Sequence, residues 1–117
     1  MSDIIDMTEV MERLQDDSEL LLELLHDFER DFRKKRKLID QLIAKQDWGM
    51  LKEVVHSLKG AAGNISAKPI YSSCMLVEYL TTQKDIALTK EVLHDIDQQF
   101  AELQEYAVVY KKTRRQN

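Results

Sequence analysis

Apolar residues recur along this chain at three- and four-residue intervals almost throughout, the spacing that gathers them on one face of an α-helix. Leu21, Leu24, Leu25, Phe28, Phe32, Ile39, Leu42 and Ile43 hold one such face. Leu51, Val54, Val55, Leu58, Ala61, Ala62 and Ile65 form a second stripe. Ile70, Cys74, Val77 and either Tyr79 or Leu80 form a third. Val92, Leu93, Ile96, Phe100, Leu103, Ala107 and Tyr110 form the fourth. A shorter run, Ile4, Ile5, Met7, Val10, Met11 and Leu14, predicts a small amphipathic N-terminal helix packed on the rest. The breaks carry boundary chemistry: Asp16, Asp17 and Ser18 are N-cap candidates, Asp47 opens the second stripe, and Pro69 suits the start of the third helix. A polar turn at 83–85 precedes the last helix. The pattern predicts an all-α fold, an antiparallel up-down-up-down four-helix bundle with a short extra N-terminal helix. Residues 1–117 read as a single domain.

Composition narrows the function more than the fold. At 117 residues the chain suits one domain that buries roughly two-thirds of its unfolded surface. Three glycines and one proline are too few for the turns of an all-β protein. A net charge of −4 weighs against nucleic acid as the main partner. Cys74 stands alone, so neither a disulfide framework nor a thiolate metal site is on offer. The start, MSDIIDMTEV, lacks the basic and apolar regions of a signal peptide, and no stretch approaches the roughly 20 apolar residues of a membrane span. A cytoplasmic protein that does not engage membranes is expected.

The candidate chemistry lies in the second stripe. At about 100° per residue, His56 points away from the apolar face, towards water. Lys59 and Gly60 follow at three and four residues, on the same outer face, and Gly63 lies a further turn along. An interior glycine weakens a helix by roughly 1 kcal/mol relative to alanine, so two beside an outward histidine suggest that something approaches the imidazole closely. His26 and His94 also point outward but have no glycine nearby, and read as solvated surface residues. Metal binding does not fit, because the i+3 and i+4 partners a helical histidine would need are Lys59 and Gly60. Ser57 points about 100° away, so no nucleophilic triad forms. An imidazole that titrates near pH 6.5 is largely neutral and nucleophilic in a cell. With an ammonium to meet phosphoryl oxygens and a glycine to leave them room, it suits a histidine that carries phosphate.

The run His56-Ser57-Leu58-Lys59-Gly60-Ala61-Ala62-Gly63 resembles the H-x-L-K-G signature of histidine-containing phosphotransfer (Hpt) domains. The resemblance extends to DDSELLLELLHDF at 16–28, to the approach at 47–55, and to CMLVEYL at 74–80. It implies a monomeric four-helix bundle that shuttles a phosphoryl group between receiver-domain aspartates in a multistep phosphorelay. It implies His56 as the phosphorylated residue, Lys59 as the phosphate-stabilising cation, and Gly60 and Gly63 as clearance residues. Glu78 falls where the family commonly has a glutamine or glutamate near the histidine. Ser66 departs from the glycine many members have at the end of the histidine helix.

The chain contains no Gly-rich phosphate loop and no carboxylate cluster for a metal. It is expected to be a phosphocarrier without kinase activity of its own. It needs no cofactor, and the partner receiver domains of hybrid sensor kinases and response regulators would supply Mg²⁺. The rival reading is an adaptor bundle that docks signalling partners without phosphotransfer. The basic run Arg33, Lys34, Lys35, Arg36 and Lys37 reads as a solvated face, with Lys35 snorkelling from the core stripe and docking of an acidic partner as the alternative. Trp48 reads as a packing anchor.

Overall fold

In the computed structural model, which describes residues 3–116, aspartates start four of the five helices. The Asp6 carboxylate accepts from Glu9 N at 3.0 Å and opens α1, Met7–Arg13. Asp17 caps α2, Ser18–Ala44, through Leu20 N at 3.0 Å, and Asp47 caps α3, Trp48–Asn64, through Met50 N at 3.2 Å. Asp85 accepts from Leu88 N at 3.0 Å at the head of α5, Ile86–Gln116. The exception is α4, Lys68–Gln83, which has Pro69 in its first turn and no side-chain cap. Each carboxylate satisfies an amide that the first helical turn leaves without a partner.

The long helices pack in a ring, α2 against α3, α3 against α4, α4 against α5, and α5 closing on α2. Their connections run only over 45–47, 65–67 and 84–85, so consecutive helices lie antiparallel, as the pattern predicts. The particle measures 49 × 25 × 21 Å. Among the described residues no helix is long and apolar enough to cross a membrane. In the middle of the core Phe32 and Phe100 stack with centroids 3.8 Å apart, and Phe28 tilts against both. The third stripe resolves in favour of Leu80, which is buried while Tyr79 is 60% exposed. Trp48 is half-buried against the core, as an anchor should be.

Three details differ from the pattern. Ile4 and Ile5 precede α1 instead of joining it, yet both are buried, and Asp6 N donates to Ser66 O at 2.8 Å behind them. The apolar spacing marks burial there, and the Asp6 cap decides where the helix begins. Ser66 adopts the left-handed conformation that a glycine would take freely, with φ 55°, at a cost of roughly 1 kcal/mol. Its hydroxyl is buried and donates to Glu9 Oε1 at 3.2 Å. The basic run is not simply a solvated face. Arg33 lies over the Phe100 ring at 5.8 Å, Arg36 bonds Asp97 of α5 at 2.7 Å, and Lys35 bonds Ser57 of α3 at 2.7 Å. The long stems let charges on α2 reach both neighbouring helices.

Candidate functional site

Five side chains of α3, Leu51, Val54, Val55, Leu58 and Ala62, are buried, and they fix which way the rest of the helix faces. His56 is thereby turned outward, its side chain 69% exposed. Across the seam, buried Cys74 and Val77 fix α4 so that Glu78 meets the histidine. Glu78 Oε1 lies 3.2 Å from His56 Nδ1 and 2.8 Å from Lys59 Nζ. An ionised carboxylate can only accept, so the hydrogen sits on Nδ1 and the free lone pair of the ring sits on Nε2. Nε2 is thus the nucleophilic nitrogen of a largely exposed ring.

Lys59 does not stand out in water as its helical spacing suggests. Only 17% of its side chain is exposed; the stem runs into the α3–α4 seam, and Nζ lies 5.8 Å from the centroid of the Tyr71 ring. The hydrogen bond to Glu78 and the carboxylate's charge hold the ammonium above its ordinary pKa, against the effect of burial. Burial pushes the Glu78 carboxyl up, but the hydrogen bonds and charges of Lys59 and His56 outweigh it and hold the group below the usual range. The pair is therefore ionic at neutral pH. One turn before Glu78, burial chiefly, with the Glu78 charge, pushes the Cys74 thiol up to about 12, so it stays protonated and unreactive.

The two glycines of the motif have different surroundings. A Cβ on Gly60 would meet nothing within 4 Å, so the space above that position is open. A Cβ on Gly63 would touch the Tyr71 ring at 3.4 Å, so Gly63 faces α4. Past it, Arg13 of α1 donates through Nη1 to the carbonyls of Gly63 and Asn64, at 3.1 and 2.8 Å, and places a cation on the negative end of the histidine helix. Glu9 holds Arg13 at 2.7 Å. Sequence reasoning missed Arg13; its only signal is the i,i+4 spacing to Glu9, which says nothing of α3.

His26 and His94 remain exposed side chains, and among the described residues neither ring is held by a carboxylate. Only His56 combines exposure, a fixed tautomer, an adjacent ammonium and open space. That set can attack an electrophile with Nε2 and stabilise negative charge placed on it. The family described as the Hpt domain matches residues 23–106, more than half of the chain and including the whole of this site. No curated protein and no solved structure matches the chain.

Proposed function

The chain belongs to the Hpt domain family, whose members carry out histidine phosphotransfer and interact with receiver domains, and we propose that His56 is the residue through which this one does so. His56 accepts a phosphoryl group from a receiver-domain aspartate and passes it to the aspartate of another receiver. The observation that carries the reading is the hydrogen bond from His56 Nδ1 to Glu78, which leaves Nε2 as the free nucleophile of an exposed side chain.

In the transfer, the Nε2 lone pair attacks the phosphorus of the aspartyl phosphate in line. The Nε2–P bond forms as the P–O bond to the aspartate breaks, and the electron pair of that bond returns to the carboxylate. No proton has to move. The ring gains positive charge, which the Glu78 carboxylate stabilises through Nδ1–H. Lys59 supplies a positive charge beside the phosphoryl oxygens, and the open space above Gly60 admits them. Glu78, the carboxylate beside His56, is committed to Lys59 and His56, so the Mg²⁺ that neutralises the aspartyl phosphate is assigned to the receiver. Because the N–P and acyl–phosphate bonds exchange directly, the step runs in either direction. The reading takes the protein as a cytoplasmic monomer that meets the receivers of hybrid sensor kinases and response regulators, with no ATP-dependent kinase activity.

The test is to mix the protein with a phosphorylated receiver domain and Mg²⁺ and map the label. Acid-labile, alkali-stable phosphate on His56 that chases onto a second receiver supports the reading. Tight receiver binding without label would support the adaptor reading instead.

A further inference from the structure

Two lysines, each held by a carboxylate, are found within a few residues of His56: Lys59 on α3 itself, and Lys35 of α2 through its contact with Ser57. On the α4 side is Lys59 with Glu78. On the α2 side is Lys35, whose Nζ is 2.7 Å from Asp31 Oδ2 and 2.7 Å from the hydroxyl of Ser57, the residue next to His56. The Lys35 side chain is only 21% exposed, so it is laid against α3 and not extended into solvent. Of the other members of the basic run, Arg36 is tied to Asp97 and Asp40, Arg33 lies over Phe100, and Lys34 and Lys37 are exposed. Lys35 alone of that run is directed to the neighbourhood of the histidine.

We propose that Lys35 is a second cation of the phosphotransfer site, a positioning residue that draws the phosphoryl donor to His56 and stabilises phosphohistidine from the α2 side. The proposal rests on His56 being the phosphoacceptor. Ser57 serves as the rest for the ammonium, which keeps the charge beside the histidine while the receiver's pocket closes over Nε2. A phosphoryl group with close to two negative charges, on the residue next to the hydroxyl that holds Lys35, is attracted by that ammonium, an effect on the order of fivefold in rate even at the dielectric of water. That attraction fades once the Debye length falls to about 3 Å in molar salt. A purely structural bridge from α2 to α3 would lower the melting temperature along with the rate.

The experiment uses phosphoramidate as donor, so that no receiver surface is involved. Its P–N bond breaks as the Nε2–P bond forms, and ammonia leaves with the protons it already carries. Uptake on His56 and the lifetime of the phosphohistidine are followed by phosphorus NMR at low and at molar salt, with melting temperatures measured in parallel. Lys35→Met should slow uptake about fivefold at low salt, with the gap closing at high salt. Lys35→Arg should restore most of the rate, because charge is kept. Ser57→Ala removes the rest but not the cation and should stay within about twofold of wild type at low salt. Wild-type rates for Lys35→Met, or equal losses for Lys35→Met and Ser57→Ala that persist at molar salt, would make Lys35 a structural staple and overturn the proposal. No label on wild-type His56 overturns the phosphotransfer reading itself, and the proposal with it.

Discussion

Lys59 and His56 are joined through a single atom, Oε1 of Glu78, which accepts from Nζ at 2.8 Å and from Nδ1 at 3.2 Å. The carboxylate therefore fixes the imidazole tautomer and holds the Lys59 ammonium in one place. Once phosphate is on Nε2, Glu78 and the phosphoryl oxygens compete for Lys59. Glu78→Gln keeps an acceptor for Nδ1–H and releases the ammonium but loses the charge that stabilises the ring, so phosphate uptake should fall less than in Glu78→Leu. Glu78→Leu removes the acceptor and should slow uptake about tenfold, the effect of one hydrogen bond to a charged group. Stopped-flow transfer from a phosphorylated receiver measures both; equal rates for the leucine variant and wild type would remove Glu78 from the chemistry.

Acid stability follows from the same contact. Burial opposes ionisation of Glu78, yet the hydrogen bonds and charges of Lys59 and His56 leave its folded pKa below that of the unfolded chain. The unfolded state thus binds the proton more readily. The stability contributed is fully present above the unfolded value of about 4.3 and is lost as pH falls through the folded value. Melting temperature recorded between about pH 6 and pH 3 should decline less steeply for Glu78→Gln than for wild type. Parallel curves would show that the pair is not coupled to folding.

His56 itself should be dispensable for the fold. With 69% of its side chain exposed and no core contact, His56→Gln should change stability by less than about 0.5 kcal/mol while abolishing phosphate uptake. Thermal unfolding together with the label assay decides this, and residual label on the variant would put the phosphoacceptor elsewhere.

Gly60 and Gly63 separate two reasons for a glycine. At Gly60 the space is open, so Gly60→Ala should add up to roughly 1 kcal/mol of stability through helix propensity alone. Gly60→Gln should slow transfer from a receiver markedly, because its side chain projects where the donor must approach. At Gly63 the added methyl meets Tyr71 at 3.4 Å, so Gly63→Ala should stabilise less than Gly60→Ala and leave transfer unchanged. Denaturant melts and transfer rates on the three variants test the assignment, which fails if Gly60→Gln transfers as fast as wild type.

The helix pattern made the bundle and the outward face of His56 legible because both depend on one periodicity. The buried set Leu51, Val54, Val55, Leu58 and Ala62 forces the histidine out wherever α4 lies. What a side chain reaches on another helix leaves no such trace. Lys59 spaces as a solvent residue, and only the position of Glu78 turns it into the seam. Arg33, Lys35 and Arg36 look like one charged face, yet each crosses to a different partner, Phe100, Ser57 or Asp97. Ile4 and Ile5 are legible as buried but not as non-helical, because Asp6 caps α1 after them. At Ser66 the expected glycine is absent while its left-handed backbone remains, a point that depends on φ and not on residue type.

The small helix α1 acts on the end of the histidine helix. Arg13 on the Gly63 and Asn64 carbonyls offsets the helix dipole, and Arg13→Met should cost about 1 kcal/mol. Hydrogen exchange should quicken over the last turn of α3 while its middle, around His56, stays protected. Unchanged exchange in that turn would mean that the guanidinium contact contributes nothing to holding it.

The central claim is that Nε2 of His56, and not Nδ1, takes the phosphoryl group. Nitrogen–phosphorus NMR on ¹⁵N-histidine-labelled protein, phosphorylated by a receiver domain and Mg²⁺, reads that bond directly. The account predicts one phosphorus coupled to Nε2 of His56, with Nδ1 still protonated towards Glu78. Coupling to Nδ1, or phosphate on His26, His94 or no histidine at all, would contradict it.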